Sequence, residues 1–295
     1  MPLLARSMSL QGMYNRSKDI FKDPKGYENE LLSICCIVKT MMGWNCERVV
    51  SICRERCGGM GYLAVNKFAA YLACAHASIT AEGDNRVLMV KVCKDMITNV
   101  TRNGFKFPAT KLNVTAQIGT FMDVSQLDTL VDLLRFREKT LFGRLVARMG
   151  ALNKEGKSKY QVMMREVSDN MQDLAMAYGE RNTIEACLID LSKMKNAENI
   201  KVMTAVYRLF ALECIRRDLG FYMVEKAISQ EAAKNTTASY TMLVNILADN
   251  VDGLVHSLNV PTHAIHVPIA EDYEKYYSKP NFGEVHGATD FSVKL

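Results

Sequence analysis

The sequence is poor in the residues that interrupt helices and in long apolar runs. Only six prolines and 17 glycines occur in 295 residues. A many-stranded sheet needs a turn after each short strand, so this shortage of turn residues favours helices. No stretch approaches the roughly 18 uninterrupted apolar residues of a membrane span, and the N-terminus has no charged segment followed by an apolar one, as a secretory signal would. The sequence therefore predicts neither a membrane span nor a secretory signal.

Charge of one sign and a regular cysteine framework are also absent. The 37 Lys and Arg and 32 Asp and Glu residues are interleaved, and the net charge is only +5, which does not indicate a nucleic-acid surface. The nine cysteines are odd in number and lie mostly in apolar helical patterns, so we expect free thiols in a reducing compartment. Cys53 and Cys57 are four residues apart, but nothing completes a zinc pattern, and no metal site is predicted.

Apolar residues, 48% of the chain, recur instead at helical spacing and predict an all-α fold without strands or internal repeats. Asp84 is a suitable N-cap and Asn103-Gly104 a suitable stop for one of the helices. Ser125 is expected to cap another, which ends at Gly150, and Gly179-Glu180 is expected to separate two more. The predicted helices cover residues 1–17, 28–56, 66–76, 85–102, 126–149, 160–178, 182–194, 199–217, 221–228, 237–258 and 271–277.

Two short segments stand out from this helical pattern. In the first, Gly58-Gly59-Met60-Gly61 follows a long helix, so it is not the strand-to-helix turn of a dinucleotide-binding fold. Glycines after a helix are typical of a C-cap. Three glycines in four residues exceed what one cap requires, and a cofactor lying against the backbone is the alternative interpretation.

The second segment is the turn Ala81-Glu82-Gly83-Asp84-Asn85, just before the next helix. A glutamate at this position is ordinarily a favourable partner of the helix dipole. A catalytic base is the alternative, because the small neighbours Ala81 and Gly83 leave space for a substrate and desolvation by a ligand would raise the pKa of Glu82. His76, His263 and His266 are expected to serve helix ends and loop packing rather than metal binding.

Together these segments resemble flavin-dependent acyl-CoA oxidases. CRERCGGMGY at 53–62, followed by ITAEGDNRVL at 79–88, is similar to the paired motifs in the C-terminal half of that family. LLRFREKTLFGRLVARM at 133–149 and NVPTHAIHVPIAEDYEKYY at 259–277 resemble its second C-terminal helical domain. The chain departs from the family pattern at Met60, Ala81 and Arg86, where a histidine, an aromatic residue and a threonine are usual.

The resemblance implies two packed helical domains, 1–104 and 105–295, in a homodimeric enzyme. Glu82 matches the base that removes the α-proton of acyl-CoA, while FAD takes the β-hydrogen and then reduces O2 to H2O2. Gly58, Gly59 and Gly61 match glycines that lie against FAD, in this superfamily often that of the neighbouring subunit. Asn85 is a weaker candidate for a cofactor contact.

Two further interpretations stay open at the level of sequence. An acyl-CoA dehydrogenase would share the base and the glycines but pass electrons to a protein acceptor, and a non-catalytic helical interaction module would keep only the surface. Nothing in the chain resembles the family's N-terminal helical and β-barrel domains, so a fragment or a partner-dependent protein is expected. The family and the final Val293-Lys294-Leu295, which is similar to Ser-Lys-Leu, predict a peroxisomal location.

Overall fold

The structure, a computed structural model, describes residues 1–110, 125–261, 265 and 267–278. All regular elements in these ranges are helical, which confirms the predicted all-α fold. The α-helices are α1 (Pro2–Lys22), α2 (Leu31–Arg56), α3 (Phe68–Thr80), α4 (Asn85–Arg102), α5 (Leu127–Lys154), α6 (Lys159–Gln161), α7 (Ser168–Lys193), α8 (Ala197–Arg217), α9 (Leu219–Val224), α10 (Gln230–Ala248), α11 (Val251–Ser257) and α12 (Tyr273–Tyr277).

Two apolar clusters form the core of the described residues. The first joins the start of α5 to α8, α9, α10 and α11, around fully buried Phe210 and Tyr222. The second joins α2 and α4 to the middle of α1, the end of α5 and the first half of α7, around Ile37, Met41 and Met171. Because α1, α5 and α7 contribute to both clusters, they connect the two halves of the fold.

This shared core bears on the predicted division at residues 104 and 105. Helix α7 follows that boundary, yet it packs against α2 and α4, which precede it, and α5 belongs to the same apolar cluster. The two predicted domains therefore meet through a continuous apolar interior, and the boundary itself stays a prediction.

The long helix α2 positions the candidate site. It ends at Arg56, after which Gly58–Gly61 and Ala64–Asn66 form two short 3-10 turns. Helix α3 then runs back along α2, and the 81–84 turn leads into α4, which packs on both α2 and α7. Ala75 is the one buried residue of α3, so that helix lies on the surface with most of its apolar residues exposed.

The predicted break at Gly179-Glu180 was wrong, because α7 continues through both residues. A Cβ at position 179 would lie 2.4 Å from the Met41 sulfur and 2.6 Å from Ile37 Cγ1. Glycine therefore allows α7 to approach α2 closely inside a helix, where side chains would otherwise hold the backbones apart. Its role here is interhelical packing rather than helix termination.

Other predicted boundaries also moved. Helix α5 begins after Gln126 without a side-chain cap from Ser125, and it passes through Gly150 to Lys154. The predicted 66–76 helix is α3, which begins two residues later and ends four residues later. The predicted 160–178 helix is interrupted by a π-helical turn at Val162–Glu166, and the 237–258 helix is divided into α10 and α11.

Candidate active site

Glu82 lies in an exposed turn between α3 and α4. Its φ is +57° and that of Gly83 is +102°, so two consecutive residues have left-handed backbone conformations. The next residue, Asp84, caps α4 as predicted, because its Oδ1 accepts hydrogen bonds from the amides of Arg86 at 2.9 Å and Val87 at 3.3 Å. The cap fixes where the turn ends and leaves the Glu82 side chain on the surface.

The backbone of Glu82 is unusual for its residue type. A left-handed conformation is uncommon for residues with a Cβ and costs roughly 1 kcal/mol or more, whereas glycine adopts it freely. Among the described residues, no cation lies within ion-pair distance of the Glu82 carboxylate. The turn thus presents to solvent a carboxylate with no ion-pair partner in the described part of the chain, in a backbone conformation that glycine would adopt more readily.

Beneath the turn, α2 supplies a cluster of polar contacts. The ammonium of Lys39 donates hydrogen bonds to the Gly83 carbonyl at 2.6 Å, to Asn85 Oδ1 at 2.7 Å and to the Ile79 carbonyl at 3.2 Å. The Asn85 amide donates to the Thr40 carbonyl at 3.3 Å. Since the Asn85 side chain is fully buried, both ends of its amide serve the fold, and it offers no atom to a cofactor in this structure.

Two further contacts hold the start of α4 in place. The Arg86 guanidinium lies 5.1 Å from the centroid of the Trp44 ring, and the Gln172 side chain donates to the Arg86 carbonyl at 2.8 Å. A cation over a tryptophan face is attracted to the ring electrons. Arg86, one of the departures from the family pattern, therefore joins α4 to α2, and Gln172 joins it to α7.

The glycine segment lies at the other end of the α2–α3 hairpin. A Cβ at Gly61 would lie 2.2 Å from the Arg54 carbonyl oxygen, so this glycine is required by close approach within the chain. Gly58, with φ +54°, and Gly59 have nothing within 4 Å of a Cβ position, and both are exposed. Gly58 and Gly59 therefore leave an open backbone surface, whereas Gly61 already faces its own chain.

The structure does not bring the glycines and Glu82 together. Asn85 contacts α2 at Thr40, while Gly58 follows the last turn of α2. The 13 residues of α3 separate the two segments, and at 1.5 Å per residue that helix is roughly 20 Å long. One flavin ring cannot touch both segments of the same chain.

The thiols and histidines do not form a second site in the described part of the chain. Burial raises the pKa of Cys93 to about 12, and burial followed by the neighbouring Cys57 raises the pKa of Cys53. All nine cysteines are free, and no cluster of three metal-ligating side chains occurs among the described residues. His76 is exposed on α3, while His263, His266 and the Val293-Lys294-Leu295 ending lie outside the described residues.

Lys39 was missed by the sequence-based interpretation, although a signal was present. It is the single charged residue in the apolar run from Leu31 to Cys46. A lysine in such a run needs hydrogen-bond acceptors, because a half-buried ammonium is costly when unpaired.

None of the helices that the structure describes has the length and apolar character needed to cross a membrane.

Comparison with known proteins places this geometry in a family. The family model described as acyl-CoA oxidase, C-alpha1 domain, matches residues 2–97, and that described as acyl-CoA oxidase matches residues 126–279. The chain belongs to the acyl-CoA oxidase family. Together the two matches cover α1 to α4 and the helices from α5 to the last short helix.

Curated acyl-CoA oxidases align with most of this chain. Acyl-coenzyme A oxidase 1 of Yarrowia lipolytica is 25% identical over 272 residues, which are 85% of this chain and 38% of the relative. The acyl-coenzyme A oxidase-like protein of Mus musculus is 22% identical over 243 residues, which are 78% of this chain and 38% of the relative. The chain therefore spans less than half the length of these curated relatives.

Solved acyl-CoA oxidases share the fold. The structure of acyl-CoA oxidase 1 from Y. lipolytica has a TM-score of 0.80 at 20% identity, with 94% of this chain and 45% of that chain covered. Acyl-CoA oxidase-1 of Caenorhabditis elegans, solved with FAD and ATP, has a TM-score of 0.80 at 10% identity, with 96% and 46% covered. At these identities the likeness shows that the helical architecture is common to them.

Proposed function

We propose that this chain forms the helical part of an FAD-dependent acyl-CoA oxidase that converts acyl-CoA and O2 to trans-2-enoyl-CoA and H2O2. Family membership supports the reaction class. The observation that carries the assignment of the base is the exposed carboxylate of Glu82, which has no ion-pair partner among the residues that the structure describes and lies in a turn fixed at both ends. A carboxylate that neutralises no neighbouring cation has little structural reason to occupy a left-handed position.

In this proposal Glu82 acts as the general base. Its carboxylate accepts the α-proton of the acyl thioester, and the C–H electrons move into the forming Cα–Cβ double bond. A bound FAD would supply the acceptor for the β-hydrogen and its electron pair and a route for the two electrons to O2. Exclusion of water by the bound substrate would strengthen the carboxylate as a base.

The glycine segment is proposed as a cofactor contact through Gly58 and Gly59. Both leave open backbone surface, which suits the approach of a flavin or its phosphates. We assign Gly61 and Asn85 to holding their own segments, since close approach to Arg54 and complete burial account for them.

The separation of the two segments supports a homodimer. Because α3 lies between them, Glu82 and the glycines meet different groups, either the two ends of one extended FAD or two separate flavins. In a homodimer, the glycine end would reach the FAD of the neighbouring subunit while Glu82 faces its own. A relative from Arabidopsis thaliana, 24% identical over 250 residues, is named as peroxisomal, and we propose the same location here.

Replacement of Glu82 tests this function. In the protein that carries this chain, Glu82→Gln should keep its flavin absorbance but lose acyl-CoA-dependent peroxide formation by about 1000-fold or more, because an amide cannot accept the proton. Glu55→Gln is the control, since Glu55 is exposed on α2 near the glycine end. Undiminished peroxide formation in Glu82→Gln would refute the base assignment.

The same preparations separate the other two functions. An acyl-CoA dehydrogenase would reduce an added electron-transfer protein but consume little oxygen with acyl-CoA. A colourless protein that takes up no FAD would instead support a non-catalytic helical module.

A further inference from the structure

Lys39 occupies an unusual position in the Glu82 turn. Its ammonium has three N–H donors, and the three acceptors within 3.2 Å come from three successive parts of the chain. The Ile79 carbonyl lies in the last turn of α3, the Gly83 carbonyl lies in the turn, and Asn85 Oδ1 lies at the start of α4. One side chain from α2 thus spans the whole connection around Glu82.

Apolar packing does little to hold this connection. Helix α3 buries only Ala75, and residues 81–84 are exposed. Segments with few buried apolar contacts open locally at low free-energy cost. The bonds of Lys39, together with the bond from Asn85 to the Thr40 carbonyl, therefore join α2 directly to the turn and the start of α4.

The charge of Lys39 suits each of its partners. Carbonyl groups in the last turn of a helix lack intrahelical donors and carry the negative end of the helix dipole, so an ammonium beside Ile79 is favourable. Hydrogen bonds from a charged donor are shorter and stronger than neutral ones. The contact with the Gly83 carbonyl holds the Gly83–Asp84 peptide, one residue beyond Glu82.

We propose that Lys39 is a positioning residue that holds the Glu82 turn in its left-handed conformation and so aims the carboxylate at the acyl α-carbon. This role rests on the proposed function of Glu82. Lys39 acts through the backbone carbonyls of Ile79 and Gly83, which lie on either side of the base. Without the Lys39 ammonium, the Glu82 carboxylate is still present, but the turn adopts several conformations and the carboxylate several positions.

Lys39→Met tests the proposal, because methionine keeps an unbranched apolar stem and removes all three donors. Amide hydrogen exchange in residues 79–88 should accelerate about tenfold, as expected for the loss of hydrogen bonds from a charged group. Lys94→Met is the matched control, since Lys94 is exposed on α4; its exchange in the same segment should stay unchanged.

Kinetics of the flavin-loaded protein give a second, independent readout. Lys39→Met should lower kcat about 100-fold, with the KM for acyl-CoA within about twofold and FAD content unchanged, as displacement of a catalytic group by an ångström does. Lys39→Arg should recover part of kcat, because a guanidinium still donates to two of the acceptors. A merely structural role would instead lower thermal stability and FAD content together.

The outcomes separate this proposal from the function on which it rests. Wild-type exchange rates and kcat in Lys39→Met would overturn the positioning role. Faster exchange in Lys39→Met combined with full activity in Glu82→Gln would overturn the assignment of Glu82 as the base, and with it the catalytic purpose of the anchor. Faster exchange, reduced kcat and partial recovery by Lys39→Arg would support both.

Discussion

Carboxylates serve two different purposes in the interior of the helical bundle and in the α3–α4 turn. In the interior, Glu180 is fully buried, with Arg137 Nη1 2.9 Å from its Oε2 and Arg217 Nη1 2.8 Å from its Oε1. Beside it, Arg181 pairs with the fully buried Glu138 at 2.7 Å. At the surface, the exposed carboxylate of Glu82 has no such partner within residues 1–110, 125–261, 265 and 267–278.

The difference shows which carboxylates are committed to the fold. Burial alone would raise the pKa of Glu180, but the charges of Arg217 and Arg137 outweigh it and lower the pKa to about 2. The Glu180 carboxylate therefore stays ionised and joins α7 to α5 and α8. Because guanidinium groups contact both of its oxygens, the Glu180 carboxylate is committed to the fold and is unsuited to accept a proton from a substrate.

Removal of the Glu180 charge is the largest expected disruption. Glu180→Gln should lower the free energy of unfolding by about 3 kcal/mol, because Arg137 is left buried with less compensating charge. Urea denaturation measures the loss. Glu155→Gln is the control, since its 3.8 Å contact with Lys157 is at the surface, and it should cost less than about 0.5 kcal/mol. Equal losses in the two variants would show that burial does not matter here.

Acid should reduce the difference in the free energy of unfolding between the wild type and Glu180→Gln. The folded-state pKa of Glu180 is lowered from 4.5 to about 2. Its contribution is therefore present above the unfolded pKa and is lost as the pH falls through the folded pKa. The difference in unfolding free energy should shrink between about pH 5 and pH 2, and a constant difference over that range would contradict the lowered pKa.

Local sequence signals predicted the surface turn better than they predicted the interior. Asp84 caps α4 as expected, because an N-cap depends only on the next two or three residues. The break predicted at Gly179 was wrong because this glycine is needed for close packing against Ile37 and Met41. Those residues belong to another helix, so the local sequence does not show the contact. Lys39 was missed for the same reason, because its acceptors lie 40 to 46 residues away.

The glycine segment offers a smaller test within α2–α3. Gly61→Ala should lower the free energy of unfolding by about 1–3 kcal/mol, because its Cβ meets a backbone oxygen that cannot move aside. Gly59→Ala is the matched control, with open space around its Cβ position, and should change stability by less than about 0.5 kcal/mol.

Affinity for FAD then separates structure from function in the same pair. The proposed cofactor contact predicts that Gly59→Ala binds FAD about tenfold or more weakly while its unfolding curve stays unchanged, as a new methyl group would separate backbone and cofactor. Unchanged FAD affinity in a folded Gly59→Ala protein would remove Gly59 from the proposed cofactor contact and leave only Gly58 in it.

The smallest effect on the free energy of unfolding is expected at Glu82, and its sign is opposite to that at Glu180. Glu82→Gly should raise the free energy of unfolding by about 0.5 kcal/mol, because glycine adopts a φ of +57° without strain, and it should abolish peroxide formation. Ala81→Gly is the control in the same turn; its φ of −67° suits alanine, so glycine there should be destabilising by about 0.5 kcal/mol. Thermal unfolding of the three proteins measures both signs.

A stability gain with loss of activity in Glu82→Gly would mean that the glutamate is retained at a cost to the fold, as expected for a catalytic group. A stability loss in Glu82→Gly would instead show that the carboxylate supports the turn, as the interior carboxylates support the bundle.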